Sequence, residues 1–291
     1  MHADRPSTTA SYVAMGRALA HARRAVRGFD DPFALQLLPD DYRAAVERRL
    51  RRGWPRSRRE AALALVGLAT ERLMGPRTAE IDDGLRGLPP GYQLVVLGAG
   101  LDARAYRMPE LSASVAFEID HPASQAFKRR VTEGLRPVAR ELRHVAVDFE
   151  REGLGEALER AGHSTTVPTA WIFEGVITYL TPADVAASLD VIAERSAPRS
   201  RLLATYNESN FIRRVVSKAT MPAGEPMKAV YSPAEMRGLL ESRGFAVVSD
   251  RDGSERALRW GGKVTALDRA WVKFHHVVIA DRPGSGARTA G

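Results

Sequence analysis

The chain has 291 residues, 44% hydrophobic and 27% charged, with a formal net charge of +8 and no cysteine. That apolar content is globular rather than disordered, no apolar run approaches the roughly 20 residues that span a bilayer, and the opening MHADRPSTTASYVAMGRALA lacks the basic-then-apolar order of a signal peptide. Without Cys there are no disulfides, thiolate metal sites or Cys nucleophile, and a soluble protein of a reducing cytoplasm is expected.

Residues 1–87 place apolar and charged positions at helical spacing, with breaks predicted at Asp31-Pro32, Pro39, Gly53-Trp54-Pro55 and Gly75-Pro76. They are expected to form an N-terminal helical cap or lid. Residues 1–60 hold 13 Arg, no Lys and seven acidic residues, densest between Arg48 and Arg59. This is either a solvated helix face or a patch that draws in an anionic substrate. One aromatic neighbour, Trp54, is too little for a base-stacking platform, which argues against nucleic acid.

From residue 92 the texture changes to short apolar runs alternating with amphipathic helices, predicted near 122–136, 151–162 and 182–196. The runs are Gln93–Leu97, Val115–Ile119, His144–Val147, Ala170–Phe173 and Arg201–Thr205. Strand, helix, strand at this cadence predicts a parallel sheet with crossover helices. Residues 207–230 read as an insert that binds substrate. A helix then opens at Ser232-Pro233, two last strands lie near 245–249 and 271–280, and 282–291 is a flexible tail. The core is expected to run over 88–281.

The first run ends in Gly98-Ala99-Gly100, glycines that let a backbone turn tightly against a ligand. Asp120 stands 20 residues beyond Gly100, at the end of the next strand, where an acid accepts hydrogen bonds from ribose hydroxyls. An NAD enzyme and a methyltransferase both use this arrangement, so at this point the two readings stay level. Asp148 ends the third strand and can take a hydrogen bond from an adenine amino group, with Phe149 as apolar surface beside the base. Glu174 ends the fourth. A row of carboxylates suits the sulfonium and ammonium of S-adenosylmethionine better than the pyrophosphate of NAD, and an NAD-binding oxidoreductase is left as the distant alternative.

Four ordered motifs then carry a resemblance: VVLGAGLDARAYR from Val95 to Arg107, FEIDHP from Phe117 to Pro122, VDF from Val147 to Phe149, and EGVITYL from Glu174 to Leu180. Together they resemble the leucine carboxyl methyltransferase-like family, over about Arg23 to Phe245. The resemblance implies an α/β, Rossmann-like class I methyltransferase, a central, mostly parallel seven-stranded sheet with helices on both faces. It implies S-adenosylmethionine as cofactor, S-adenosylhomocysteine as product, and no metal. By residue, it implies that Gly98, Ala99 and Gly100 line the methionine part and that Asp120 and His121 border the ribose. It further implies that Asp148 and Phe149 address the adenine, that Arg77 binds the cofactor carboxylate, assisted by Arg23 or Arg24, and that Glu174 lies beneath the methionine end. Tyr179 matches a tyrosine that positions substrate. Ala103 departs from the Thr usual in relatives and is expected to cost one hydroxyl contact.

The bland readings are that Asp82, Asp102 and Arg104 pair across the first helix, that Tyr179 packs, and that His144 is structural. His275-His276 point to opposite faces of the last strand. A carboxylate acceptor needs no general base and a phenol or alcohol does. Tyr206, Glu208 and the histidines are only candidates for one, so a small-molecule or peptide carboxylate is the expected substrate, oriented by Tyr179 and an arginine such as Arg213 or Arg214, and a phenolic or hydroxyl acceptor is the alternative.

Overall fold

The computed structural model describes residues 6–51, 57–147, 152–208, 228–261 and 272–284, with the side chains of 59, 60 and 62–69 left aside. The described chain opens with three helices: α1 (Thr8–Ala22), α2 (Asp40–Leu50) and α3 (Arg58–Arg86). There follow β1 (Gln93–Leu97), α4 (Arg104–Arg107), β2 (Val115–Asp120), α5 (Pro122–Val131), β3 (Glu141–Ala146), α6 (Leu154–Arg160), β4 (Thr169–Phe173), α7 (Pro182–Glu194) and β5 (Arg201–Asn207). The chain then forms α8 (Pro233–Glu241), β6 (Ala246–Arg251), α9 (Gly253–Arg259) and β7 (His275–Asp281).

The strands form one seven-stranded sheet in the order β3-β2-β1-β4-β5-β7-β6. β1 to β5 pair in parallel, and β7 is antiparallel to both β5 and β6. β1 and β4 are buried along their whole length, as continuous apolar runs between two helical layers require. One core joins the sheet to α6, α7 and α8 through Phe117, Trp171, Leu189 and Met236. The other joins it to α3 and the segment after β1 through Ile81, Leu85, Leu94 and Leu203. The order reverses between β1 and β4, and the carboxyl ends of strands at such a switch point form the crevice where ligands of doubly wound sheets bind.

α1 lies over that edge: its Ala14, Met15 and Ala18 pack with Leu101, Ala103 and Phe127 in a third cluster. It meets α3 at backbone distance, since a Cβ built on Gly16 would sit 2.7 Å from the Thr70 carbonyl oxygen. The break predicted at Gly75-Pro76 is wrong. α3 runs straight through with Pro76 inside it. Gly75 is there for closeness, because a Cβ would lie 2.8 Å from Val26 Cγ2 and 3.0 Å from Ala20 Cβ. Tertiary packing thus outweighs the hydrogen bond that Pro76 cannot donate.

Other boundaries shift. The helix predicted over 122–136 stops at Val131, ahead of Gly134 at φ 79°. The third strand starts earlier, at Glu141. α9 is not foreseen, although Asp252 and Glu255 make a reciprocal capping box at its start. Among the described residues no helix is long and apolar enough to cross a membrane. The Asp148-Phe149 pair, Arg52, Trp54 and Arg56, most of the 207–230 insert including Arg213 and Arg214, and the tail from 285 fall outside the described residues.

Candidate functional site

The turn after β1 takes two left-handed steps, Gly98 at φ 64° and Gly100 at φ 44°. A Cβ on Gly98 would collide with Val176 Cγ2, and one on Gly100 would stand 3.2 Å from Ala10 Cβ of α1 and 4.0 Å from Asp120 Oδ2. Ala99, between them, is buried and donates its N–H to the Ile119 carbonyl at 3.0 Å. The turn is therefore walled by the loop after β4, by α1 and by the end of β2.

Asp120 is held by main chain on both oxygens. The Gly100 N–H donates to Oδ2 at 2.5 Å and the His121 N–H to Oδ1 at 2.7 Å. Each oxygen keeps a lone pair for a further donor. His121 caps α5, its Nδ1 accepting from the Ala123 N–H at 3.2 Å. It borders the acid, and among the described residues no other side chain orients it.

Glu174 is almost fully enclosed and bridges two arginines. Its Oε1 takes Arg77 Nε at 2.8 Å and its Oε2 takes Arg104 Nη1 at 2.8 Å. Arg104, fully buried, also donates from Nε to Asp82 Oδ1 at 2.8 Å and pairs with Asp102. Arg107 clamps Asp82 with Nη1 on Oδ2 at 2.8 Å and Nη2 on Oδ1 at 2.9 Å. Asp31, also buried, lies 3.7 Å from Arg107 and 3.5 Å from Arg17. A chain of alternating charges thus runs beneath the crevice from Asp31 to Arg77. Burial pushes Glu174 and Asp82 up, yet the guanidinium groups of Arg104 with Arg77, and of Arg107 with Arg104, hold both carboxyls below their ordinary values. Asp102 is lowered likewise against burial, by Arg104 first.

Placing Asp82, Asp102 and Arg104 as pairing residues is correct, but their reach to Glu174 is not visible in local sequence. In the row of carboxylates expected at the strand ends, Glu174 carries its charge against two cations. Ala103 precedes α4 with no side-chain cap. Asp102 Oδ1 substitutes, accepting the Arg104 N–H at 2.7 Å.

Arg77 spends only Nε on Glu174, and neither Nη makes a hydrogen bond to any described residue. Nη2 lies 4.0 Å from where a Cβ of Gly175 would stand, next to the loop after β4. Arg23, expected to assist Arg77, is paired instead with Glu71. Tyr179 lies in a short 3₁₀ turn, Ile177–Tyr179, with its hydroxyl 3.5 Å from Thr9 Oγ1 of α1. His144 is structural as expected: it lies 3.3 Å from Glu118, which also holds Lys128 at 2.7 Å. Among the described residues no cluster of His, Asp or Glu could hold a metal ion.

The donor set fits S-adenosylmethionine. Asp120 keeps acceptor capacity for vicinal hydroxyls, the unused nitrogens of Arg77 suit a carboxylate, and the two left-handed glycines leave the backbone bare between them.

Residues 10–193 match the family model of leucine carboxyl methyltransferase. A putative S-adenosyl-L-methionine-dependent methyltransferase from Mycobacterium sp. (strain JLS) is 43% identical over 148 residues, covering 50% of this chain and 48% of that protein. A second protein of that description, from Streptomyces coelicolor, is 38% identical over 176 residues, covering 60% of this chain and 62% of its own length. The match thus spans less than two thirds of either relative. Among solved structures, magnesium protoporphyrin IX methyltransferase from Synechocystis with bound S-adenosylhomocysteine superposes with a TM-score of 0.50 at 14% identity, covering 84% of this chain and 97% of that one. That likeness concerns the fold.

Proposed function

Because the chain belongs to the leucine carboxyl methyltransferase family, with S-adenosylmethionine as its cofactor, we propose that it is an S-adenosylmethionine-dependent O-methyltransferase that esterifies a carboxylate on a small natural product or peptide. The observation that carries the carboxylate is the character of the described wall. It offers a cation in Arg77 and a hydroxyl in Tyr179, and the enclosed carboxylate between them, Glu174, is locked to two arginines. Such a wall orients an acceptor that is already ionised and supplies no base to deprotonate one.

S-adenosylmethionine, when bound, supplies an electrophilic methyl group on a sulfonium. Asp120 holds the ribose hydroxyls, and Arg77, aimed by Glu174, takes the carboxylate of the amino-acid end. Tyr179 donates its hydroxyl to the acceptor oxygen and fixes its line of approach, the largest task in an in-line displacement. α1, crossing over Gly100 and reaching Tyr179 through Thr9, serves as the lid of the N-terminal cap and excludes water. The Arg48–Arg59 segment steers the anionic acceptor toward that opening.

A second reading is favoured by one observation. His276 on β7 has Nδ1 3.1 Å from Asp250 Oδ1 and its Nε2 3.6 Å from Glu208 Oε2. An imidazole that donates through Nδ1 to a carboxylate keeps a lone pair on Nε2 and can serve as a general base, which would make a phenol or alcohol the acceptor. Incubation with methyl-labelled cofactor and matched panels of carboxylic acids and phenols, followed by mild alkali, separates the two. Esters release labelled methanol and ethers keep the label; alkali-stable product alone overturns the carboxylate reading.

A further inference from the structure

Arg256, on α9, is fully buried, and its Nε and Nη2 have no hydrogen-bond partner among the described residues. Among the described residues Nη1 alone is used, donating to the carbonyls of Arg251 at 2.6 Å and His275 at 2.7 Å, at the carboxyl end of β6 and the start of β7. Nearby acids are committed elsewhere. Glu80 takes Arg251 on Oε1 and the Trp260 Nε1–H on Oε2 at 2.7 Å. Asp252 caps α9 through the Ser254 and Glu255 N–H groups. Asp250 accepts the Tyr206 hydroxyl at 2.6 Å and faces His276.

The neighbour that remains is a second half-used guanidinium. Arg77 stands one helical turn before Glu80 on α3, and Glu80 is tied to Arg251, whose carbonyl holds Arg256. Burial, and after it the positive charge of Arg77, bring the Arg256 guanidinium down to about 10 in spite of the carboxylates of Glu80, Asp252 and Asp250. A buried cation with two unmet donors beside another cation is costly unless an anion completes it.

We propose that Arg256 and Arg77 form a two-guanidinium carboxylate site, completed when the carboxylate of the cofactor's amino-acid end or of the methyl acceptor bridges their unused nitrogens. This rests on the methyltransferase reading for its choice of ligands. Planar, forked donors on both sides suit a carboxylate's two oxygens.

Calorimetry on the full chain and its Arg256→Gln variant tests it, with S-adenosylhomocysteine against 5′-methylthioadenosine, the same nucleoside lacking the carboxylate. If the anion is the cofactor's, the variant loses roughly 10-fold or more in S-adenosylhomocysteine affinity and nothing for methylthioadenosine. If it is the acceptor's, both affinities hold and benzoate loses its advantage over neutral benzamide in raising the melting midpoint of nucleoside-saturated protein. A variant that keeps both discriminations overturns the proposal. Should the variant not fold, the wild type decides: equal stabilisation by the two nucleosides at equal occupancy, together with equal stabilisation by benzoate and benzamide, overturns it. If the wild type binds neither nucleoside, the methyltransferase reading fails, and the site is then judged on benzoate against benzamide with the protein alone.

Discussion

Arg104 Nε lies 2.8 Å from Asp82 Oδ1, and neither side chain has any solvent exposure. The two are 22 positions apart, one on α3 and one after the glycine turn. Their bond fastens the N-terminal helices to the cofactor crevice, because Arg104 also carries Glu174 and Asp82 also carries Arg107.

Arg104→Met therefore leaves buried carboxylates short of a cation. We expect a loss of about 3–5 kcal/mol in urea unfolding, as for breaking a buried ion pair from one side. Arg104→Lys should recover only part, since one ammonium cannot reach three carboxylates. A loss below about 1 kcal/mol would show that the network is hydrated and structurally minor.

Stability should fall with acid in two steps. His163 packs against Phe117 and Trp171 with Nε2 3.1 Å from Thr169 Oγ1. Burial, helped by Arg195, brings its pKa from 6.5 down to about 4. The unfolded chain then binds a proton that the folded one refuses, so stability present above 6.5 drains away as pH falls toward 4. Asp82 and Glu174 are likewise lowered, from 3.8 and 4.5, and their contribution is lost further down, as pH falls through their folded values. Denaturation midpoints at pH 7, 5, 4 and 3 should show both limbs, with His163→Gln removing the upper one. A flat profile from 7 to 4 refutes the His163 assignment.

Gly98→Ala forces an L side chain into φ 64° and against Val176 Cγ2. The combined strain should cost about 1–3 kcal/mol, read as a lower melting midpoint and weaker S-adenosylhomocysteine binding. Adding Val176→Ala relieves the collision but not the backbone, so rescue should be partial; full rescue would mean that the left-handed turn carries no strain.

Asp120→Ala should weaken S-adenosylhomocysteine by roughly 100-fold in calorimetry, since it strips an ionised acceptor from bound hydroxyls. Asp120 is only half-buried, so the melting midpoint should move little. NAD serves as the control ligand. Unchanged binding would place the ribose elsewhere.

Strand ends were readable because chain order places them: a buried run, a glycine or an acid, then a helix. Gly98, Asp120 and Glu174 come to one edge for that reason. What the local pattern hides is charge partnership at a distance. Nothing near Glu174 announces Arg77 or Arg104, which lie 97 and 70 positions away. Gly75-Pro76 misleads for a related cause. Two residues that punctuate a chain in isolation serve here to bring α3 against Val26 and Ala20. Arg256 carries no sequence signal, because α9 is seven residues long and its apolar period is too short to register.

The position of β7 also bears on synthesis. It is the last of the seven strands in chain order, yet it lies inside the sheet, between β5 and β6. As the chain leaves the ribosome, β1 to β5 can pair while β5 keeps an open edge and β6 has nothing to lie against. A premature stop before His275 would strand two hydrogen-bonding edges and remove Val277–Ala280 from both cores, a product made for aggregation and proteolysis rather than for partial activity.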